Sequence, residues 1–152
     1  MAGSVYLADS NILIRLVKRE HPEYPLVRGA VSALRAKGIR LGYTMQNMAE
    51  FWNASTRPIE RNGFGLTIEE TDENARAIER AFVFLPDNEA VYREWRTLVV
   101  RYGVSGAQVH DTRLAAAMLV HGISHILTLN TPDFARFNGI IAIHPNQAVL
   151  KS

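Results

Sequence analysis

The chain alternates short apolar runs with longer stretches in which apolar residues recur at helical spacing. Val5–Ala8 is an apolar run typical of a buried parallel strand, and the polar residues after it favour the start of a helix. The same reasoning predicts strands at 5–8, 39–43, 82–85, 126–129 and 140–143. It predicts helices at about 12–18, 25–37, 45–55, 67–81, 86–102, 107–121 and 132–137, and a loop containing glycine and proline at 56–66.

This alternation of strands and helices predicts a fold of the α/β class. Strands separated by helices form a parallel sheet whose two faces are covered, because the crossovers are right-handed. We therefore expect a three-layer α/β/α sandwich with a central, mainly parallel, five-stranded sheet. No repeat or linker interrupts the pattern, so residues 1–152 are predicted to form a single domain. In such folds the functional crevice lies at the carboxyl ends of the strands.

Composition narrows the possible chemistry. Apolar residues make up 47% of the chain and charged residues 21%, which is typical of a globular protein. The absence of cysteine excludes disulfides, thiolate metal sites and cysteine nucleophiles. No apolar stretch approaches the roughly 18 residues that a membrane span needs, and Asp9 interrupts the short apolar run near the N-terminus. We expect a cytoplasmic protein with no membrane segment.

Four acidic residues occupy corresponding places in the predicted strand–helix units. Asp9 follows the first strand, Glu50 lies on the helix after the second, Asp111 lies in the first turns of the 107–121 helix, and Asp133 follows the fourth strand. If they converge, their charges repel one another unless a cation joins them. Oxygen ligands alone suit a hard ion, Mg²⁺ or Mn²⁺. Such an ion can activate water and stabilise charge on a phosphodiester oxygen, which predicts hydrolysis of a nucleic-acid backbone.

Each acid also has a purely structural interpretation. Asp9 and Asp133 can be helix N-caps, and Asp111 can favour the dipole of its helix. Glu50 is harder to explain in this way, because it lies in an otherwise apolar stretch where a buried charge would need a partner. The signal is stronger for the four acids together than for any one of them.

The segments around these acids resemble the motifs of a known family. Residues 7–13 (LADSNIL), 46–51 (QNMAEF), 110–116 (HDTRLAA) and 127–134 (LTLNTPDF) resemble, in order, the four motifs of PIN-domain nucleases. Arg57-Pro58 and the segment 62–65 (NGFG) are also similar to bacterial members. The resemblance spans nearly the whole chain and is greatest to VapC-type toxins of toxin–antitoxin pairs.

The resemblance implies a three-layer α/β/α fold, Mg²⁺-dependent endoribonuclease activity, homodimerisation and neutralisation by a small antitoxin protein. It implies that Asp9, Glu50, Asp111 and Asp133 are the acids of the metal site. On this basis Asp9 and Asp111 are expected to bind the metal directly, while Glu50 is a ligand or accepts a proton from the attacking water. Asp133 is expected to bind through water or to complete a second metal site.

Further residues are expected to support this site. Ser10, Asn11 and Asn130 are predicted to be polar neighbours that orient the acids. Contacts to RNA phosphates are predicted for four basic residues: Arg15, Lys18, Arg57 and Arg113. For Arg113 the alternative is an ion pair with Glu50 or another acid. None of the five histidines is predicted to be catalytic.

Other functions stay open. A phosphotransferase that uses an aspartate nucleophile would normally carry a second acid at position 11, where this chain has Asn11. No G-x-G-x-x-G follows the first strand, which argues against a dinucleotide enzyme. The remaining alternatives are a non-catalytic interaction module on the same fold and an RNA-processing nuclease without an antitoxin. Tyr92 and Trp95 are predicted to lie in the core or in a dimer interface, and base stacking is the less favoured role.

Overall fold

The computed structural model describes residues 4–150, so the ends of the predicted domain, residues 1–3 and 151–152, lie outside the described residues. The strands are β1 (Val5–Ala8), β2 (Arg40–Tyr43), β3 (Val83–Phe84), β4 (His125–Leu127) and β5 (Ile141–Ile143). The α-helices are α1 (Ser10–Arg15), α2 (Tyr24–Ala36), α3 (Met45–Thr56), α4 (Ile68–Ala81), α5 (Glu89–Arg101), α6 (Gln108–Val120) and α7 (Pro145–Leu150). Two 3₁₀ turns span Ile59–Arg61 and Thr131–Phe134.

The five strands form one sheet in the order β3-β2-β1-β4-β5, and every neighbouring pair is parallel. Val5 pairs with Arg40 on one side of β1, and Leu7 pairs with Ile126 on the other. The chain winds outward from β1 through β2 to β3 and then crosses to β4, so the order reverses between β1 and β4. This reversal leaves a crevice at the carboxyl ends of the two central strands.

Two apolar clusters cover the two faces of the sheet. One cluster joins Ala8 of β1 to helices α1, α2, α3, α4 and α7, and the other joins Leu7 to α5 and α6. Successive residues of β1 thus face opposite layers, as the pleat of a strand requires. The predicted three-layer α/β/α sandwich is confirmed.

Side-chain caps explain several helix starts. The predicted capping box is present, with Thr67 and Glu70 each accepting a hydrogen bond from the other's backbone N–H. The same arrangement starts α3, where Thr44 and Asn47 cap each other. Asn88 caps α5 through the amide of Val91 at 3.0 Å, so this helix begins at Glu89 and not at Pro86 as predicted.

The remaining differences from the predicted elements concern short segments. The predicted 56–66 loop contains one 3₁₀ turn, and the predicted 132–137 helix is reduced to another. Helix α7 was not predicted; it packs on α2 and places Ala148 in the core. No helix between residues 4 and 150 is long and apolar enough to cross a lipid bilayer.

Candidate active site

The candidate site lies where the strand order reverses, at the ends of β1 and β4. Asp9 follows β1 directly, and its backbone amide extends the ladder by donating to the Leu127 carbonyl at 3.0 Å. Thr128 follows β4 and is fully buried. These two residues therefore stand side by side at the crevice that the topology creates.

The Asp9 carboxylate is tightly held. Its side chain is largely buried, with the residue only 8% exposed. Oδ1 accepts the Ser10 amide at 2.7 Å, and Oδ2 accepts the Thr128 hydroxyl at 2.8 Å. Asn11 Nδ2 approaches Oδ2 at 3.4 Å. Donors from a strand end and a helix start thus fix both oxygens of Asp9.

Asn11 and Thr128 connect this carboxylate to the segment after β4. Asn11 Nδ2 also lies 3.4 Å from Thr128 Oγ1, and Asn11 Oδ1 accepts the Leu129 amide at 3.2 Å. Asn130 contributes its backbone amide, which donates to Thr128 Oγ1 at 3.0 Å. Sequence reasoning proposed Asn130 as an orienting neighbour and overlooked Thr128, although Thr128 lies within the fourth motif and follows a strand directly.

Glu50 is oriented by a chain of polar groups from α3 and α1. The Ser10 hydroxyl donates to Glu50 Oε1 at 2.7 Å and accepts from Asn47 Nδ2 at 3.0 Å. Asn47 is fully buried and is itself fixed, because its Oδ1 accepts the Thr44 amide at 2.8 Å. Asn47 is a second supporting residue that sequence reasoning did not single out.

Glu50 is not buried, contrary to the expectation from the sequence. The apolar stretch around it suggests a buried charge, yet Glu50 is exposed, as is Ala49, while Phe51 beside them is fully buried. The helix turns its apolar residues to the core and its acid to the crevice, as an amphipathic helix does. Glu50 therefore needs no partner to offset burial.

Asp111 lies in the first turn of α6 and is half-buried. Burial, followed by the negative charges of Asp133, Asp9 and Glu50, raises its pKa to about 6, while His110 acts in the opposite direction. Gln46 on α3 holds this helix start in place, since its Nε2 donates to the His110 carbonyl at 3.0 Å.

All four predicted acids take part in one set of electrostatic interactions. Burial raises the pKa of Asp9, as do the charges of Glu50 and Asp133, against the lowering effect of the hydrogen bonds from Thr128 and Ser10. Asp133 is exposed in the 3₁₀ turn after β4 and acts on both Asp9 and Asp111. Asp9 and Asp111 thus each lie in the negative field of neighbouring acids.

The carboxylates act on one another electrostatically but do not close on a common point. Among residues 4–150, no three acidic or histidine side chains lie close enough to ligate one ion as they stand. Ser10 and Thr128 hold Glu50 and Asp9 at their present positions. A set of carboxylate oxygens in a shared negative field nonetheless fits a hard divalent cation, which would relieve the repulsion.

The four basic residues predicted to contact RNA all have partners. Arg15 pairs with Glu23 at 3.6 Å, Lys18 with Glu20 at 3.2 Å, and Arg113 with Asp87 at 2.6 Å. Lys18 also lies 5.2 Å from the centre of the Phe64 ring, and Arg57 donates to the Asn62 carbonyl at 3.0 Å. Arg113 thus follows the alternative interpretation, an ion pair with an acid, although that acid is not Glu50.

The chain is similar to a known domain family and to several solved structures. The sequence profile of the family described as PIN domain matches residues 6–140. Among curated proteins none matches the chain. DNA-bound VapBC from Salmonella typhimurium has a similar structure, with a TM-score of 0.68 at 16% identity over 94% of this chain and 98% of the other.

Two further solved structures show the same likeness. VapBC2 from Rickettsia felis, bound to a DNA fragment from its promoter, has a TM-score of 0.67 at 14% identity over 92% of this chain and 98% of the other. VapC20 from Mycobacterium tuberculosis, a toxin that cleaves the sarcin-ricin loop, has a TM-score of 0.64 at 13% identity over 90% of this chain and 98% of the other. At such low identities the likeness is one of fold.

Proposed function

The chain belongs to the PIN domain family, and we propose that it is a Mg²⁺- or Mn²⁺-dependent endoribonuclease that hydrolyses RNA phosphodiester bonds. One observation supports this proposal: four carboxylates from separate segments are near enough for their charges to act on Asp111, and burial together with these charges raises its pKa to about 6. A charge cluster of this kind costs stability unless a cation neutralises it, and a cost of this kind is typical of a functional site.

We assign each of the four acids a role according to its surroundings. Asp9 and Asp111 would hold the cation directly, with Asp133 contributing through water or at a second ion. A bound divalent ion supplies Lewis-acid stabilisation of phosphodiester charge and lowers the pKa of water. Glu50, exposed and held through Oε1 by Ser10, would accept the proton of the attacking water or act as a further ligand.

We also propose that the chain is the toxin of a type II toxin–antitoxin pair. The VapBC structures of similar fold support this role, and VapC20, a sarcin-ricin loop cleaving toxin, supports RNA as the substrate. Homodimerisation is part of the same proposal. An RNA-processing nuclease without an antitoxin is the alternative that the neighbouring gene would decide.

The antitoxin surface that we propose is a cleft of about 360 Å³ between α1, α2 and α4. Its floor is apolar, with Leu13 and Val31 among its residues, and Arg19, Arg28 and Arg35 also line it. Such a cleft fits an amphipathic helix with acidic residues. Charge reversal at Arg28 is expected to weaken antitoxin binding while RNA cleavage by the free toxin persists.

The direct test of the nuclease is cleavage of a single-stranded RNA and of DNA with the same sequence. We expect Mg²⁺ or Mn²⁺ to support RNA cleavage, EDTA to stop it, and Asp111→Asn to abolish it. Asp72→Asn is the matched control, because Asp72 lies on α4 in an exposed ion pair with Arg76.

Metal binding by itself provides a second measurement. Millimolar Mn²⁺ is expected to raise the unfolding temperature of the wild type and of Asp72→Asn but not of Asp111→Asn. A wild type that neither cleaves RNA nor gains stability with Mn²⁺ would be a non-catalytic interaction module.

A further inference from the structure

A second concave site lies beside the acid cluster, between α5 and the first turn of α6. It has a volume of about 490 Å³ and is lined by Val91, Tyr92, Trp95 and Val109, with more polar residues around them. A volume within roughly 300–1,000 Å³ is typical of sites for small organic groups. The chemistry proposed above uses no residue of this cleft.

The cleft and the acid cluster lie on either side of the same helical turn. His110 lines the cleft, and the next residue is Asp111. The His110 carbonyl accepts Gln46 Nε2 at 3.0 Å, which ties this turn to α3, the helix that carries Glu50. A chain molecule bound at the acids can therefore extend around the start of α6 into the cleft.

The aromatic walls of the cleft have the properties of a stacking platform. Trp95 Nε1 donates to the Val109 carbonyl at 2.9 Å, which fixes the plane of the indole, and Trp95 is only partly buried. Tyr92 is 54% exposed, with its ring centre 6.4 Å from that of Trp95. Aromatic faces that are fixed and open to solvent bind nucleobases with little sequence preference.

Polar groups beside these rings can meet the edge of a base. The ion pair of Arg113 with Asp87 also lines the cleft, and its side chains are 44% and 28% exposed. It offers donors from Arg113 and acceptors from Asp87. Asn88 lines the cleft too and adds an amide.

The charge beyond the cleft favours a polyanion as the occupant. Tyr92 also lines a neighbouring cleft on α5, together with Arg96, Arg101 and Arg93, of which Arg93 is paired with Glu89 at 2.9 Å. A second copy docked through this face in a twofold dimer would bring the arginines of both copies together. An RNA backbone would instead meet them with phosphates.

We propose that this cleft binds a nucleobase of the RNA next to the scissile phosphate, stacked against Tyr92 and Trp95. The proposal rests on the function proposed above and adds a subsite to it. Of the two expected places for Tyr92, the core is excluded, since the residue is more than half exposed, and a dimer interface is the competing outcome of the test below.

The test is steady-state cleavage of a single-stranded RNA by Tyr92→Ala. Loss of one stacking ring is expected to raise KM about tenfold with kcat nearly unchanged. Phe84→Ala is the matched control, because Phe84 is 48% exposed and packs on Tyr43, a member of the cluster on the opposite face of the sheet. It is expected to leave KM unchanged.

A modified substrate tests the contact from the RNA side. An abasic nucleotide is placed in turn at each position beside the cut. At one position it is expected to raise KM for the wild type about tenfold and to add nothing in Tyr92→Ala. Equal KM values for Tyr92→Ala and Phe84→Ala, with a wild type that cleaves normally, would overturn the subsite and leave the nuclease intact.

Two other results of these experiments would also overturn the subsite. If Tyr92→Ala changes a dimer into a monomer in sedimentation and KM stays the same, the cleft belongs to a second copy and the subsite is wrong. If the wild type itself neither binds nor cleaves RNA, the proposed function fails, and the subsite fails with it.

Discussion

The candidate site has a rigid side, Asp9, and an adjustable side, formed by Glu50, Asp111 and Asp133. Asp9 follows a central strand, is 8% exposed, and has both oxygens held by donors from Ser10 and Thr128. Glu50, Asp111 and Asp133 lie on helices or a 3₁₀ turn and are half-buried or exposed. Glu50 has a single hydroxyl to orient it, from Ser10.

This difference indicates how several carboxylates can lie near one another without their repulsion destabilising the fold. One carboxylate, that of Asp9, is fixed at the end of a central strand. The other three acids are more exposed, so water can solvate their charges. Burial raises the pKa of both Asp9 and Asp111, so both sides carry a cost of the arrangement.

The largest expected effect is at the rigid side. Asp9→Asn keeps the shape of the side chain but removes a charge that no other fixed group replaces, so RNA cleavage should fall about a thousandfold. Asp133→Asn, at the exposed side, should cost only about tenfold. Cleavage rates at saturating Mn²⁺ measure both, with circular dichroism to verify folding. Equal losses would contradict the distinction between the two sides.

Thr128→Val tests what holds Asp9 in place. The substitution keeps the shape but removes the hydroxyl that donates to Asp9 and accepts from the Asn130 amide. Mn²⁺ affinity, measured by calorimetry, should fall about 10- to 100-fold. Thr112→Val is the matched control, since Thr112 is equally buried and bonds only within α6, to the Gln108 carbonyl. It should reduce stability by about 1–3 kcal/mol and leave Mn²⁺ affinity unchanged.

Protonation of Asp111 gives the adjustable side a pH dependence. Because the pKa of Asp111 is raised to about 6, Mn²⁺ must displace a proton at lower pH, and its affinity should fall by up to about tenfold per pH unit below that value. Calorimetric titrations between pH 7 and pH 5 measure this fall. Asp72→Asn should show the same fall as the wild type, and an affinity independent of pH would contradict the assignment.

The raised pKa of Asp111 also affects the stability of the metal-free protein, which should decrease as the pH rises. The folded state holds the Asp111 proton more tightly than the unfolded chain does. Its contribution to stability is therefore fully present below the ordinary pKa of 3.8 and is lost as the pH rises through about 6. Urea unfolding in EDTA across this window should show the decrease, and saturating Mn²⁺ should suppress it.

The smallest expected effect is at Ser10. Ser10→Ala removes the hydroxyl that donates to Glu50 but keeps the backbone amide that donates to Asp9. We expect kcat to fall several-fold, to about tenfold, while Mn²⁺ affinity changes little. A loss of Mn²⁺ binding as large as that in Thr128→Val would show that Ser10 belongs to the rigid side.

Much of the fold could be predicted because its signals are local. Apolar runs such as Val5–Ala8 identify buried strands, and the Thr67–Glu70 capping box marks a helix start without any tertiary information. The PIN-domain resemblance, based on four short motifs, is confirmed by the family match over residues 6–140. Helix α7 was missed because it is short and depends on packing against α2.

The supporting groups of the site were less predictable. The four acids stand out because strand ends converge in a parallel sheet, and the structure brings them into one electrostatic field. Thr128 and Asn47 act through partners far away in sequence, Asp9 and Ser10, so no local pattern identifies them. The burial inferred for Glu50 failed because an apolar stretch on a helix does not tell which residue faces out.

Asn47 performs two tasks with one amide group. Its oxygen accepts from Thr44 at the start of α3, and its nitrogen donates to the hydroxyl that orients Glu50. Truncation of this side chain would remove the helix cap and the donor to the Ser10 hydroxyl together. Asn47→Asp would keep the accepting oxygen and lose the donor, but it would also place a carboxylate in a fully buried position.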